Sequence, residues 1–269
     1  MTLPTTSIAY GSSFFIFFLS GAFRCGNTLL RSILNQNPDF YVTPNSILPN
    51  VVWLLDRYKK ETGYKNWQRV DVDKQYLDNE KYYDEIIKNI FLNYFSKHKQ
   101  KYILEQGRWG TLENFNLLKH YGFLPAKFVM LVRPFEEILK SWNRVDNIPE
   151  LLIPTHCDFL MQPQGQVGQS AAALDFLTKN YKQNLLIIKY KDLCNNPQNT
   201  IKTLYEFLNI PYYNKHKFVN LNTIDDSQSS HTDIRTDKIE QKTYDDKIKI
   251  PDIVLKKYKK EKNLFNRYG

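Results

Sequence analysis

Residues 14–19 form a short, wholly apolar run that passes into Ser20 and Gly21, then into Arg24 and a second glycine, Gly26. From Asn27 onward, Leu29, Leu30, Ile33 and Leu34 recur on one helical face. The pattern predicts a buried strand, a tight loop and a helix N-terminus. The first turn of such a helix aims unpaired N–H groups and a partial positive charge at the loop, which suits a phosphate or sulfate. Two glycines let the backbone wrap that anion, Arg24 adds a permanent forked cation, and Thr28 adds a hydroxyl.

Further apolar runs at 102–104, 127–133 (KFVMLVR) and 185–189 (LLIIK) alternate with helical periodicity at 47–61, 81–98, 112–121, 135–142, 167–181 and 197–208. Runs without polar alternation predict strands buried on both faces. The expected fold is therefore α/β, a three-layer sandwich around a mostly parallel sheet. Residues 37–46 read as loop because Pro38 and Pro44 stop a helix. Residues 62–80 are polar without a clear period, and 143–168 carry no assignable pattern. Residues 1–13 read as a loose lead-in. The tail from 212 is polar until a short basic helix over 253–262. Without a repeat or a linker, the chain reads as one domain over 1–269.

A formal charge of +9 fits either anionic ligands or a lysine-rich surface. No basic stripe interleaves with aromatics, so no nucleic-acid partner is expected. Three cysteines, an odd number without CxxC spacing, argue against a disulfide framework and for a reducing, cytoplasmic setting. The histidines are scattered, so no metal site is expected. Residues 14–22 imitate a signal peptide, but residues 1–13 hold no Lys or Arg. No stretch approaches the ~18 apolar residues of a membrane-spanning helix. The sequence does not reveal the oligomeric state.

The loop GAFRCGNT matches the nucleotide-binding pattern GxxxxGK[ST] except at Asn27, where the lysine belongs. A kinase or ATPase would also want a strand-end acid for Mg²⁺, and only Glu105 offers one. CGNTLLRS, with Cys25 and Arg31, resembles the loop of low-molecular-weight tyrosine phosphatases, which makes a Cys25-dependent phosphatase an alternative. Against it, Leu29 and Leu30 place Arg31 inside the helix, and that family's Asp-Pro-Tyr acid motif is missing.

The segment SGAFRCGNTLLRSILNQNPDF resembles the 5′-phosphosulfate loop of the sulfotransferase family, roughly Pro-Arg-Ser-Gly-Ser/Thr-Thr-Leu-Leu. Arg24, Gly26, Thr28, Leu29 and Leu30 match, whereas Phe23, Cys25 and Asn27 replace the proline, serine and Ser/Thr. KFVMLVRPFEEILKSW is similar to the family's 3′-phosphate segment, with Arg133 and Ser141 at its spacing. IIKYKDLCNNPQNTIKTLYEFLNIP is similar to its Tyr-Glu-Asp-Leu block, with Tyr190 on the tyrosine. The three blocks occur in family order over roughly 14–45 and 101–211. HTDIRTDK is a weaker echo of a basic loop closing over the nucleotide.

The resemblance implies a P-loop-like sulfotransferase architecture. It also implies metal-independent transfer of a sulfuryl group from 3′-phosphoadenosine 5′-phosphosulfate (PAPS) to an acceptor hydroxyl, leaving adenosine 3′,5′-bisphosphate (PAP). Arg24, Thr28 and the amides of Cys25, Gly26 and Asn27 would hold the phosphosulfate. Arg133 and Ser141 would hold the 3′-phosphate, Tyr190 would contact adenine, and Arg235 with Lys238 would close from the late loop. Glu105 would be the general base, or else a strand-end carboxylate paired with Arg108 or a lysine. Arg108 would touch the sulfuryl oxygens. Trp109 would stack on adenine or pack in the core. The acceptor is left open among a small alcohol or other small molecule, a carbohydrate, a lipid and a peptide tyrosine. A nucleotide-binding module without catalysis is the further alternative.

Overall fold

The computed structural model describes residues 14–61, 80–218, 239 and 248–269. Arg235 and Lys238, the lead-in and most of the polar stretch at 62–80 lie outside the described residues.

Five strands, β1 (Phe15–Leu19), β2 (Phe40–Val42), β3 (Tyr102–Gln106), β4 (Phe128–Val132) and β5 (Leu185–Lys189), form one sheet in the order β2-β3-β1-β4-β5. Every pairing is parallel, with Leu19 opposite Gln106 on one side and Val129 on the other. Parallel pairing brings the carboxyl ends of all five strands to one edge. The chain leaves β1 toward β2 and returns through β3, so β1 and β4 flank the topological switch point where such sheets bind ligands.

The connecting helices are α1 (Asn27–Leu34), α2 (Leu48–Glu61), α3 (Glu80–Phe95), α4 (Leu112–His120), α5 (Phe135–Val145), α6 (Ile153–Met161), α7 (Gln166–Asn180), α8 (Tyr190–Asn195) and α9 (Pro197–Leu208). Two more, α10 (Asp252–Lys257) and α11 (Lys259–Tyr268), occupy the tail. β4 is buried at every position, as its unbroken apolar run requires. Phe18 of β1 meets Phe91, Trp109 and Phe128 at ring-centroid distances of 5.4–6.3 Å. Trp109 is thus core, not an adenine platform, with no exposed surface.

Several expectations are corrected. Residues 40–42, read as loop, form the edge strand β2. Phe40 pairs with Tyr102, and Asn35 Oδ1 accepts from Val42 N at 2.7 Å. The flanking prolines limit this strand to three residues without preventing it. Segment 143–168 is not irregular. Pro154 sits at the start of α6, where its missing N–H costs nothing. β5 is an edge strand with only Ile188 buried. The tail helix is two helices, broken at Tyr258. Phe265 of α11 stacks on Phe135 at 6.1 Å, and Asn266 Oδ1 accepts from Phe135 N at 3.1 Å, bracing the start of α5.

Candidate active site

Above the carboxyl edge of the sheet lies a cleft of about 1020 Å³. Arg24, Arg31, Arg108, Arg133 and Arg144 line it, and Glu113 is the one carboxylate among its described lining residues. Five guanidinium groups against one carboxylate make it a site for a polyanion.

The loop after β1 forms the centre. Arg24 and Gly26 both adopt positive φ, 69° and 97°. At Gly26 a Cβ would stand 2.6 Å from Tyr190 Cδ2, so only glycine lets the loop close on that ring. Gly26 caps α1 without a side-chain hydrogen bond, and Thr28 in the first turn lines the cleft. The first-turn amides are thereby left for an anion. Asn27 does not act as the missing lysine. It is 8% exposed, and its Nδ2 donates back to Ala22 O at 3.2 Å, bracing the loop.

Arg133 follows β4 directly. It is 2% exposed, donates from Nε to Glu137 Oε2 at 2.6 Å, and holds its guanidinium carbon 4.5 Å from the Tyr190 ring centroid. Tyr190, which opens α8 after β5, therefore spans from Gly26 to Arg133. Arg24, Arg133 and the Tyr190 ring all line one cleft.

Ser141, expected beside the 3′-phosphate, is fully buried in α5 and outside the cleft lining. Its Oγ accepts from Arg24 Nε at 2.8 Å, which ties it to the loop after β1. The Cys25 side chain is also fully buried. Burial pushes its thiol up to about 12, although Arg133 and Arg24 pull it down. A neutral thiol without access cannot be a nucleophile, which removes the phosphatase alternative.

Glu105 has no exposed surface, and its carboxyl faces the Ser46 and Trp109 side chains. Burial pushes it up to about 7, and nearby Ser46 and Trp109 pull it partly back. The expected ion pair with Arg108 is not formed. Arg108 instead donates through Nη1 to Gln169 Oε1 and through Nη2 to Gln166 Oε1, with its guanidinium carbon 5.2 Å from the Phe23 ring centroid. Glu105 lies just beneath the cleft floor. A Cβ on Gly107 would come within 2.7 Å of Glu105 Oε2 and of Pro49 Cγ, and both Gly107 and Pro49 line the cleft.

Sequence reasoning missed Glu113, Glu137 and the two glutamines that clamp Arg108. An i,i+4 spacing from Arg133 could have suggested Glu137. Nothing local marks the others, which reach the cleft only through the fold.

An α/β sheet with an anion loop at its switch point and two arginines sharing a cleft defines a P-loop-like protein for phosphate or sulfate esters. The family model described as "Sulfotransferase family" matches residues 17–214, and the chain belongs to that family. It is accordingly a sulfuryl-transferring enzyme in class. Similar solved structures include the sulfotransferase domain of the Synechococcus PCC 7002 olefin synthase (18% identity, 74% of each chain covered, TM-score 0.48). Another is a sulfotransferase from Alicyclobacillus acidocaldarius (15% identity, 72% of this chain and 81% of that one, TM-score 0.47). A third is the mouse sulfotransferase SULT7A1 complexed with PAP (12% identity, 76% and 61%, TM-score 0.45). No curated protein matches the sequence.

Proposed function

We propose that the cleft binds PAPS and transfers its sulfuryl group in line to an acceptor hydroxyl, releasing PAP. The observation that carries this reading is the shared cleft: Arg24 after β1 and Arg133 after β4 line the same space, with the Tyr190 ring in it against Arg133 and the Gly26 turn. A donor with phosphates at both ends of its ribose needs two such grips. A nucleoside triphosphate needs only one, with a lysine and a metal.

In this reading Arg24, Thr28 and the first-turn amides of α1 hold the 5′-phosphosulfate. They neutralise charge gathering on the bridging oxygen as its bond to sulfur breaks. Arg133 holds the 3′-phosphate through its planar fork, Tyr190 lies against the nucleoside, and Arg108 faces the sulfuryl oxygens. This neutralisation is built from guanidinium groups and backbone dipoles and calls on no metal. Glu105 takes the acceptor proton, since a carboxyl held near 7 is matched to a base at neutral pH. Access to it requires Gly107 and Pro49 to part. Glu113 is the second reading for the base, because it lines the cleft directly.

A single sulfotransferase domain completes the proposal. Among the described residues no helix is long and apolar enough to cross a membrane. Three free, buried cysteines support a reducing, cytoplasmic setting.

Thermal shift tests the reading. PAP at ~100–1,000 times its dissociation constant should stabilise the fold by about 3–4 kcal/mol. An equal response to inorganic phosphate, or a larger one to ATP, would overturn it.

A further inference from the structure

The cleft continues beyond the anion loop to the side of β1 occupied by β2 and β3, away from Arg133 and Tyr190, which follow β4 and β5. Its lining there includes the side-chain amides Asn45, Asn50 and Gln106; Gln166 and Gln169 are held beside them by Arg108, which follows β3, and Gln164 lines the same cleft. Four of them are pinned at one end. Gln106 Nε2 donates to Asn45 Oδ1 at 2.8 Å, while Gln166 and Gln169 each accept from Arg108 through Oε1. An amide carries a donor end and an acceptor end. Pinning one end therefore fixes the other: an NH₂ from Asn45, Gln166 and Gln169, and a carbonyl from Gln106. Trp53 lies on the same wall, 38% exposed, with the Arg57 guanidinium carbon 5.1 Å from its ring centroid.

We propose, resting on the PAPS reading above, that the acceptor is a hydroxyl of a neutral saccharide. A sugar ring presents neighbouring hydroxyls that donate and accept at once, which suits an array of oriented amides, and a C–H face that suits an indole. A phenol, steroid or acyl chain would cover these amides and leave them unpaired, at a cost of about 1–3 kcal/mol each. In the reaction a sugar oxygen bonds to sulfur as the bond from sulfur to the bridging phosphate oxygen breaks. PAP leaves with that electron pair, and the hydroxyl proton passes to the carboxylate base.

The test uses the full chain with ³⁵S-labelled PAPS and four acceptor classes: saccharides (lactose, maltotriose and N,N′-diacetylchitobiose), 4-nitrophenol, 1-octanol and a tyrosine peptide. PAP binding is measured alongside by calorimetry. Label should enter a saccharide preferentially. Asn50→Ala and Gln164→Ala, both at exposed positions, should each raise the saccharide KM roughly tenfold, as loss of one hydrogen bond to a substrate hydroxyl would. If PAP binds but label goes preferentially to the phenol, alkanol or peptide, or to no saccharide, the saccharide assignment is overturned and the donor reading stands. If PAP does not bind, the donor reading falls and the acceptor assignment falls with it.

Discussion

Arg24 Nε donates to Ser141 Oγ across 2.8 Å, joining the loop after β1 to the interior of α5 over 117 residues of sequence. The bond fixes the guanidinium of a residue whose backbone already sits at φ 69°. It also ties the first anion grip to the helix that starts beside the second, at Arg133.

Ser141→Ala should therefore weaken PAP binding without unfolding the protein. Hydrogen bonds to charged groups contribute about 1.5–3 kcal/mol, so the expected loss is roughly 10-fold or more. Calorimetry with PAP checks it. An unchanged dissociation constant would mean that Arg24 needs no such anchor.

If Arg133 grips the 3′-phosphate as proposed, Glu137 is its competitor. Its carboxylate accepts from Arg133 Nε at 2.6 Å and is about one-third exposed. Glu137→Gln should strengthen PAP binding by up to about fivefold at low salt, on the scale of a partly solvated pair, with the gain shrinking as salt rises. Weaker binding would show that Glu137 orients the arginine and does not compete for it.

Gly26→Ala should disrupt the loop. The new methyl would meet Tyr190 2.6 Å from Cδ2, on a backbone at φ 97° that a side chain disfavours by about 1–2 kcal/mol. A lower melting temperature and weakened PAP binding are expected together. A normal melting temperature would show that the ring yields freely.

Glu105 makes stability depend on pH with a definite sign. Its carboxyl is raised from 4.5 to about 7 in the folded protein. Between those values the unfolded chain has released the proton and the folded protein keeps it, so stability falls as pH rises through this window. The stabilising contribution is complete below about 4.5 and gone above about 7. Glu105→Gln should flatten this slope, giving a variant more stable than the parent at pH 8 by chemical denaturation. It should also retain PAP binding and lose transfer. Unchanged transfer would pass the base role to Glu113.

What the sequence disclosed and what it hid follow from chain separation. The anion loop and its helix were legible because strand, glycines and helical leucines lie within two dozen residues. Arg133 was legible because it directly follows an unbroken apolar strand. Ser141 has the right spacing from Arg133, yet helix α5 turns it into the interior toward Arg24, and no local pattern encodes that rotation. The burial of Glu105 depends on Gly107 and Pro49, which meet only when α2 packs over the end of β3. The clamp on Arg108 joins residues about sixty positions apart. Helix α6 was hidden because Pro154 reads as a breaker in isolation and as an opener in place.

The most direct measurement is the affinity of PAP relative to adenosine 5′-monophosphate, in the parent protein and in Arg133→Ala. The two ligands differ only in the 3′-phosphate assigned to Arg133. Two grips in one cleft predict roughly 10–100-fold tighter binding of PAP, and loss of that advantage in the variant. Equal affinities in the parent protein, or an advantage that survives in Arg133→Ala, would contradict the account.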